Sequence, residues 1–144
     1  MKNSLYDRDF YAWANEQAAL LRAGKLMEAD IQNIAEEIES MGRSEKRELV
    51  SRLTVLLLHL LKWQFQPGLR GTSWRLSIEN TRYQLEEHIE DNPSLRSQLD
   101  QVMRNAYRRA QNDAVSETGL ARNTFPDDCP YTFDQAISLG FWPE

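Results

Sequence analysis

His59 and Lys62 stand three residues apart at the end of the most apolar stretch of the chain, Leu53 to Leu61. At 100° per residue, Glu37, Ser44, Glu45, Glu48, Arg52, His59, Lys62 and Gln66 share one helical face roughly 100° wide. A base beside a cation is the minimum equipment for proton transfer, so an enzyme with a site at His59 is one reading. The same face also reads as a solvated or half-buried helix side, with the ring bonded to a neighbour. Glu48 and Arg52 form an i,i+4 pair in the favourable order.

Other chemistry finds less support. A di-iron bundle needs Glu-x-x-His pairs, but Leu56 and Leu85 occupy the positions three before His59 and His88. There is no His-Glu-x-x-His. Glu36, Glu37 and Glu39 with Asp127 and Asp128 could gather a hard cation, although clustered acids are usually just solvated. No metal and no cofactor are expected. The single cysteine, Cys129, excludes an intrachain disulfide and a cysteine-based zinc cluster. It follows Asp127 and Asp128, whose charges would raise a thiol pKa, so it reads as a small packing residue. No Gly-x-Ser-x-Gly, P-loop or dinucleotide fingerprint is present.

Charge is unevenly spread. The net charge is −5, yet residues 43–82 hold eight cations against three acids, a local +5 that leaves the remainder at −10. The segment KWQFQPGLRGTSWR, Lys62 to Arg75, carries three cations and three large aromatics and no acid. Its Lys62, Trp63, Arg70, Trp74 and Arg75, with Arg52 and His59 upstream, are the candidate binding residues. Such a segment can hold phosphates and stack bases. It can equally dock on the acidic remainder of the chain or on an acidic partner.

The elements that would position these residues read as helices. Length, 41% apolar content and 27% charge suit a single all-α domain over residues 1–144. The first helix is expected over Asp7–Arg22, closed at Gly24, with Leu26 and Met27 stapling the turn. A long central helix is expected over about 28–66. Its Ile31, Ile34, Ala35, Ile38, Gly42, Leu49, Leu53, Leu56, Leu60 and Trp63 stay in phase within about 100° of arc. That phase favours continuity through Gly42, which would then let another helix approach closely; the alternative is a helix ending at Met41. At full length this helix would measure roughly 58 Å. A compact chain of this size has a radius of gyration of about 14.5 Å. One end would project unless a partner covers it, and the less greasy first half is the end expected to do so. A helix capped by Thr72 or Ser73 should run to about Glu90. Asn92-Pro93 should open another, ending at Thr118-Gly119. Thr132 should cap a short C-terminal helix, Phe133 to Leu139, closed by Gly140. The aromatic tail Phe141-Trp142-Pro143 should dock back on the bundle.

The amino terminus carries acids and no apolar core, and Leu53 to Leu61 is far short of the roughly 20 residues of a membrane span. The chain reads as cytoplasmic, with no membrane association.

HLLKWQFQP (His59 to Pro67) carries a resemblance. With YDRDFYAW (Tyr6 to Trp13), EEIESMGRSEKREL (Glu36 to Leu49), TGL and TFPDDCPYT between Thr118 and Thr132, and FWP (Phe141 to Pro143), the chain resembles the DUF29 family over essentially its whole length. That resemblance implies an all-helical bacterial protein from a cyanobacteria-rich family. It implies no activity, substrate or catalytic residue. The functional reading is a small interaction or regulatory module, a homodimer or the partner of another protein. The alternatives are a nucleic-acid-binding, antitoxin-like regulator using residues 62–75 and an enzyme at His59.

Overall fold

The computed structural model describes residues 4–144. Among these residues six α-helices follow in order: α1 (Leu5–Arg8), α2 (Phe10–Arg22), α3 (Ile31–Phe65), α4 (Thr72–Asp91), α5 (Leu99–Thr118) and α6 (Phe133–Ile137). Short 3-10 turns occupy Pro67–Leu69, Pro93–Gln98 and Arg122–Thr124. The described residues contain no strand. Contacts divide the chain into two compact units, one ending at Ser44 and the other Glu45–Glu144; α3 supplies its first part to one and its remainder to the other.

In the amino-terminal unit, the single helix expected over Asp7–Arg22 is two. Asp9 leaves the helical region at φ −152°, ψ 85°, and its carboxylate accepts from the Ala12 amide at 3.0 Å. An aspartate at this position competes with the helix for its own backbone and wins a cap. Tyr6, Phe10 and Trp13 then cluster, with Tyr6 and Trp13 edge to face at 4.7 Å. Ala23 caps α2 and Gly24 follows at φ +73°, the left-handed exit its position suggested. Leu26 and Met27 do not staple the turn: they are exposed, Met27 completely.

Asp30 starts α3. Its backbone amide donates to Gln17 Oε1 at 2.6 Å, and its carboxylate accepts from Trp13 Nε1 at 3.0 Å and Asn33 Nδ2 at 2.8 Å. The Asn33 hydrogen bond, foremost, holds that carboxyl below its ordinary range. The Tyr6 hydroxyl donates to Glu37, and this bond pushes the phenol up to about 12. α3 is continuous through Gly42 as its phase suggested, but a Cβ there would meet nothing within 4 Å. Within this chain, the glycine does not serve close helix approach.

In the second unit, α3 is the core. Leu49, Leu53, Leu56, Leu57, Leu60 and Leu61 have no accessible surface and pack with Ile78, Leu85, Val102, Ala106 and Phe125. Burial extends around most of the helix circumference, beyond the single stripe of the phase argument, because apolar side chains fill nearly every position here. Burying each leucine contributes roughly 1.5–3 kcal/mol.

Several boundaries depart from expectation. α4 is capped by the extended Gly71, not by a Thr72 or Ser73 side chain; glycine at this position costs little relative to a hydroxyl cap. Pro93 opens a 3-10 turn, and α5 starts only at Leu99. Asn92 serves the preceding helix, donating from Nδ2 to His88 O at 3.1 Å. α5 ends at Gly119, φ +73°, as its sequence suggested. Thr132 and Gln135 close a reciprocal capping box on α6, which stops at Ser138, before Gly140.

The aromatic tail docks as expected, and arginines hold it. Arg82 is buried, donating from Nε to Ala136 O at 2.7 Å and from Nη2 to Phe141 O at 2.6 Å. Arg70 donates from Nε to Trp63 O at 2.6 Å and from Nη2 to Pro143 O at 3.2 Å. Trp142 lies against Trp63 with ring centres 4.7 Å apart.

Candidate functional site

The basic aromatic segment is brought together, and its cations already have internal partners. Lys62 pairs with Glu117 at 2.8 Å and sits 5.8 Å from the Trp74 ring. Arg70 stacks 5.2 Å from Trp63 while bonding the two carbonyls described above. Arg75 stands 4.0 Å from Glu79 and is half exposed. His59 is not joined to this group by any hydrogen bond: its Nδ1 lies 2.8 Å from Val55 O, one turn back, which as a carbonyl can only accept. Lys62 to Arg75 therefore recognises chiefly the chain's own carbonyls, acids and rings.

Arg52 belongs elsewhere. It reaches back along α3 to Glu48, with Nη2 at 2.6 Å and Nε at 3.3 Å from Oε1. This bond, ahead of all other causes, keeps the Glu48 carboxyl below its ordinary range. The other oxygen, Oε2, faces His88 Nδ1 on α4 at 3.4 Å. Glu45, one turn before Glu48, contributes twice: its main-chain oxygen lies 2.9 Å from His88 Nε2, and its carboxylate 3.6 Å from the same nitrogen. One ligand atom from each of Glu45, Glu48 and His88 can be chosen so that all lie within 4.8 Å of one another. An open pocket of about 500 Å³ lies over them, lined further by Gln84, Glu87, Asp91 and Asn92.

Neither helix announces this group by itself. Glu45 and Glu48 are an i,i+3 pair, but α3 has many acids, and His88 lacks the glutamate three residues earlier that a bundle metal motif would carry. The available signal was the pairing of two half-motifs on helices joined by a short turn, which local spacing does not rank above other combinations.

A second pocket, about 490 Å³, lies between α5 and the loop containing Cys129. Burial pushes the Cys129 thiol up, and its Sγ donates to Tyr131 O at 3.3 Å. The direction agrees with expectation, but desolvation, not the preceding aspartates, is the principal cause. Burial likewise pushes Tyr107 up to about 12; its hydroxyl donates to Pro126 O. A protonated, hydrogen-bonded thiol is a weak nucleophile.

The last feature is a face. On α3 the stripe through Leu49, Leu53, Leu56 and Leu60 is buried. Among the described residues, its in-phase continuation towards the amino terminus is largely exposed: Ile31 is 52% exposed and Ile38 59%, with Met41 beside them at 62%, while Ile34 is half-buried. Tyr6, Trp13 and Gln17 cover a different side, the one carrying Asp30, Asn33 and Glu37.

A family model described as "Domain of unknown function DUF29" matches residues 5–142. The chain belongs to the DUF29 family. The match runs from the first residue of α1 to Trp142 in the docked tail, so the family span takes in most of both units of this DUF29 chain. No curated protein and no solved structure matches it. None of the helices among the described residues of this DUF29 protein is long and apolar enough to cross a membrane.

Proposed function

We propose that this DUF29 protein is a regulatory interaction module that self-associates through the exposed Ile31–Gly42 face of α3. One observation carries the reading: among the described residues, the stripe that forms the core from Leu49 onward continues in phase to Ile31, with Ile31 and Ile38 more than half exposed and Ile34 half-buried. Ile31, Ile34, Ile38 and Met41 follow a 3-4-3 spacing, the a/d pattern of a helix that packs on another helix. Ala35 and Gly42, small and on the same side, allow a partner helix to come close. A second copy offers the same apolar seam, so the pairing is self-complementary.

Light scattering on a size-exclusion column at tens of micromolar tests this. The expected mass is twice the 16.8 kDa of the chain. Ile38→Glu, which places a charge on an already exposed position, should return the monomer with unchanged helix content. A 16.8 kDa species alone at that concentration overturns the reading.

The internal partners of Lys62, Arg70 and Arg75 weigh against nucleic-acid binding through residues 62–75, since a phosphate would have to displace them. The bond from His59 to its own helix offers no second group for acid–base chemistry.

A further inference from the structure

We propose that Glu45, Glu48 and His88 form a binding site for a divalent transition cation of the zinc type. The inference starts from the histidine. His88 is 8% exposed, and its Nε2 lies 2.9 Å from Glu45 O. A carbonyl oxygen only accepts, so this nitrogen carries the proton and Nδ1 presents the lone pair of the neutral ring. Glu48 Oε2 stands 3.4 Å from that nitrogen. An electron-rich ring nitrogen of a buried histidine this close to a carboxylate oxygen is best satisfied by a cation between them, either a proton on the ring or a metal ion.

The surroundings favour the metal. Tetrahedral zinc with bonds of about 2.0–2.1 Å sets ligand atoms about 3.3 Å apart. The 3.4 Å between Nδ1 and Oε2 already meets that spacing. Each inner group also has an outer support of the kind that orients metal ligands. The histidine's second nitrogen is held by a main-chain oxygen, and Arg52 occupies Glu48 Oε1 while leaving Oε2 to face the ring. Glu45 is exposed and its carboxylate, 3.6 Å from His88 Nε2 and 3.5 Å from Asn92 Nδ2, completes the set by rotating its side chain. One imidazole and two carboxylates suit zinc, manganese or ferrous iron, whereas calcium and magnesium prefer oxygen alone. Three protein ligands leave a position open to water on the pocket side.

Calorimetric titration of the chelator-stripped full chain with Zn²⁺ at neutral pH tests the site. The expected result is one saturable Zn²⁺ per chain, with a rise in thermal midpoint. Glu48→Gln and the surface change Glu45→Gln should each weaken binding at least tenfold while keeping the fold, and Arg52→Gln should weaken it about tenfold with unchanged stoichiometry. Ring ¹⁵N shifts of His88 should show Nδ1 changing on Zn²⁺ addition and Nε2 remaining protonated. Absence of saturable binding overturns the proposal. So does binding that survives Glu45→Gln and Glu48→Gln undiminished, or an Nδ1 that carries a proton and ignores the metal. The self-association face shares no residue with this site, so Ile38→Glu should leave Zn²⁺ binding intact.

Discussion

The guanidinium of Arg82 lies 5.1 Å from the ring of Trp142 and donates to main-chain oxygens at Ala136 and Phe141. One buried cation thus ties α4 to α6, to the residue before Trp142 and to the indole itself. Burial holds this guanidinium below its ordinary range, yet no carboxylate is bonded to it; carbonyl dipoles and the indole face take that role. Ala136 lies in the last turn of α6, where helix carbonyls lack intrahelical partners. Arg82→Met keeps most of the packing on Trp142 and leaves both oxygens unpaired. The expected loss is about 3 kcal/mol by urea denaturation, given about 1.5–3 kcal/mol for each hydrogen bond to a charged group.

Trp142 is wedged between Trp63 and Arg82, though only partly buried. Trp142→Ala should cost about 2 kcal/mol, less than the roughly 3–5 kcal/mol of a fully buried tryptophan. Helix content by circular dichroism should stay the same, because α3 to α5 do not depend on the tail for their hydrogen bonds. Limited proteolysis should then cut after Ile137 in the variant and spare that segment in the native chain.

Gly42 sits in mid-helix with open space around its missing Cβ. Gly42→Ala should raise stability by about 1 kcal/mol through helix propensity alone. Thermal melts at submicromolar concentration, where self-association contributes nothing, measure the effect. A decrease would show that the open space is filled in solution.

Acid should loosen the Asp30 cap and the Glu48–Arg52 pair. Both carboxyls sit below their ordinary values in the folded chain, so their contribution is present above the unfolded values, 3.8 and 4.5. It is lost as pH falls through the lower folded values. The difference in stability between wild type and Asn33→Ala should therefore shrink as pH drops below about 4. Alkali acts in the opposite sense at Tyr6. Its folded value of about 12 exceeds the ordinary 10.0, so its contribution is full below 10 and disappears as pH rises to about 12. A tyrosinate absorbance titration should lose one late step in Tyr6→Phe.

Cys129 should react slowly with Ellman's reagent in the native state and rapidly in urea, because burial disfavours its thiolate. Fast native labelling would contradict the hydrogen bond from Sγ to Tyr131 O.

Local periodicity made much of this protein legible. The in-phase stripe announced the long helix through Gly42; Gly24 and Gly119 announced the left-handed exits; Thr132 announced the α6 cap. Each depends on residues within a few positions of one another, where backbone geometry leaves few choices. The misses were also local competitions. Asp9 captured its own backbone, and Pro93 favoured a 3-10 turn before α5.

Tertiary structure alone decided the use of charge. From spacing, Arg70 and Arg75 looked ready for phosphates and His88 looked unaccompanied. Folding brought carbonyls at Trp63 and Pro143 to Arg70, and Glu45 and Glu48 to His88, across 43 and 40 positions. A cation or imidazole takes whichever oxygens packing delivers, and packing is set by apolar burial that knows nothing of those groups. The amino-acid sequence determined the helices and their greasy faces, because both follow from neighbours along the chain. Which charges were consumed internally, and which carboxylates met the buried histidine, followed only from how those faces closed on one another.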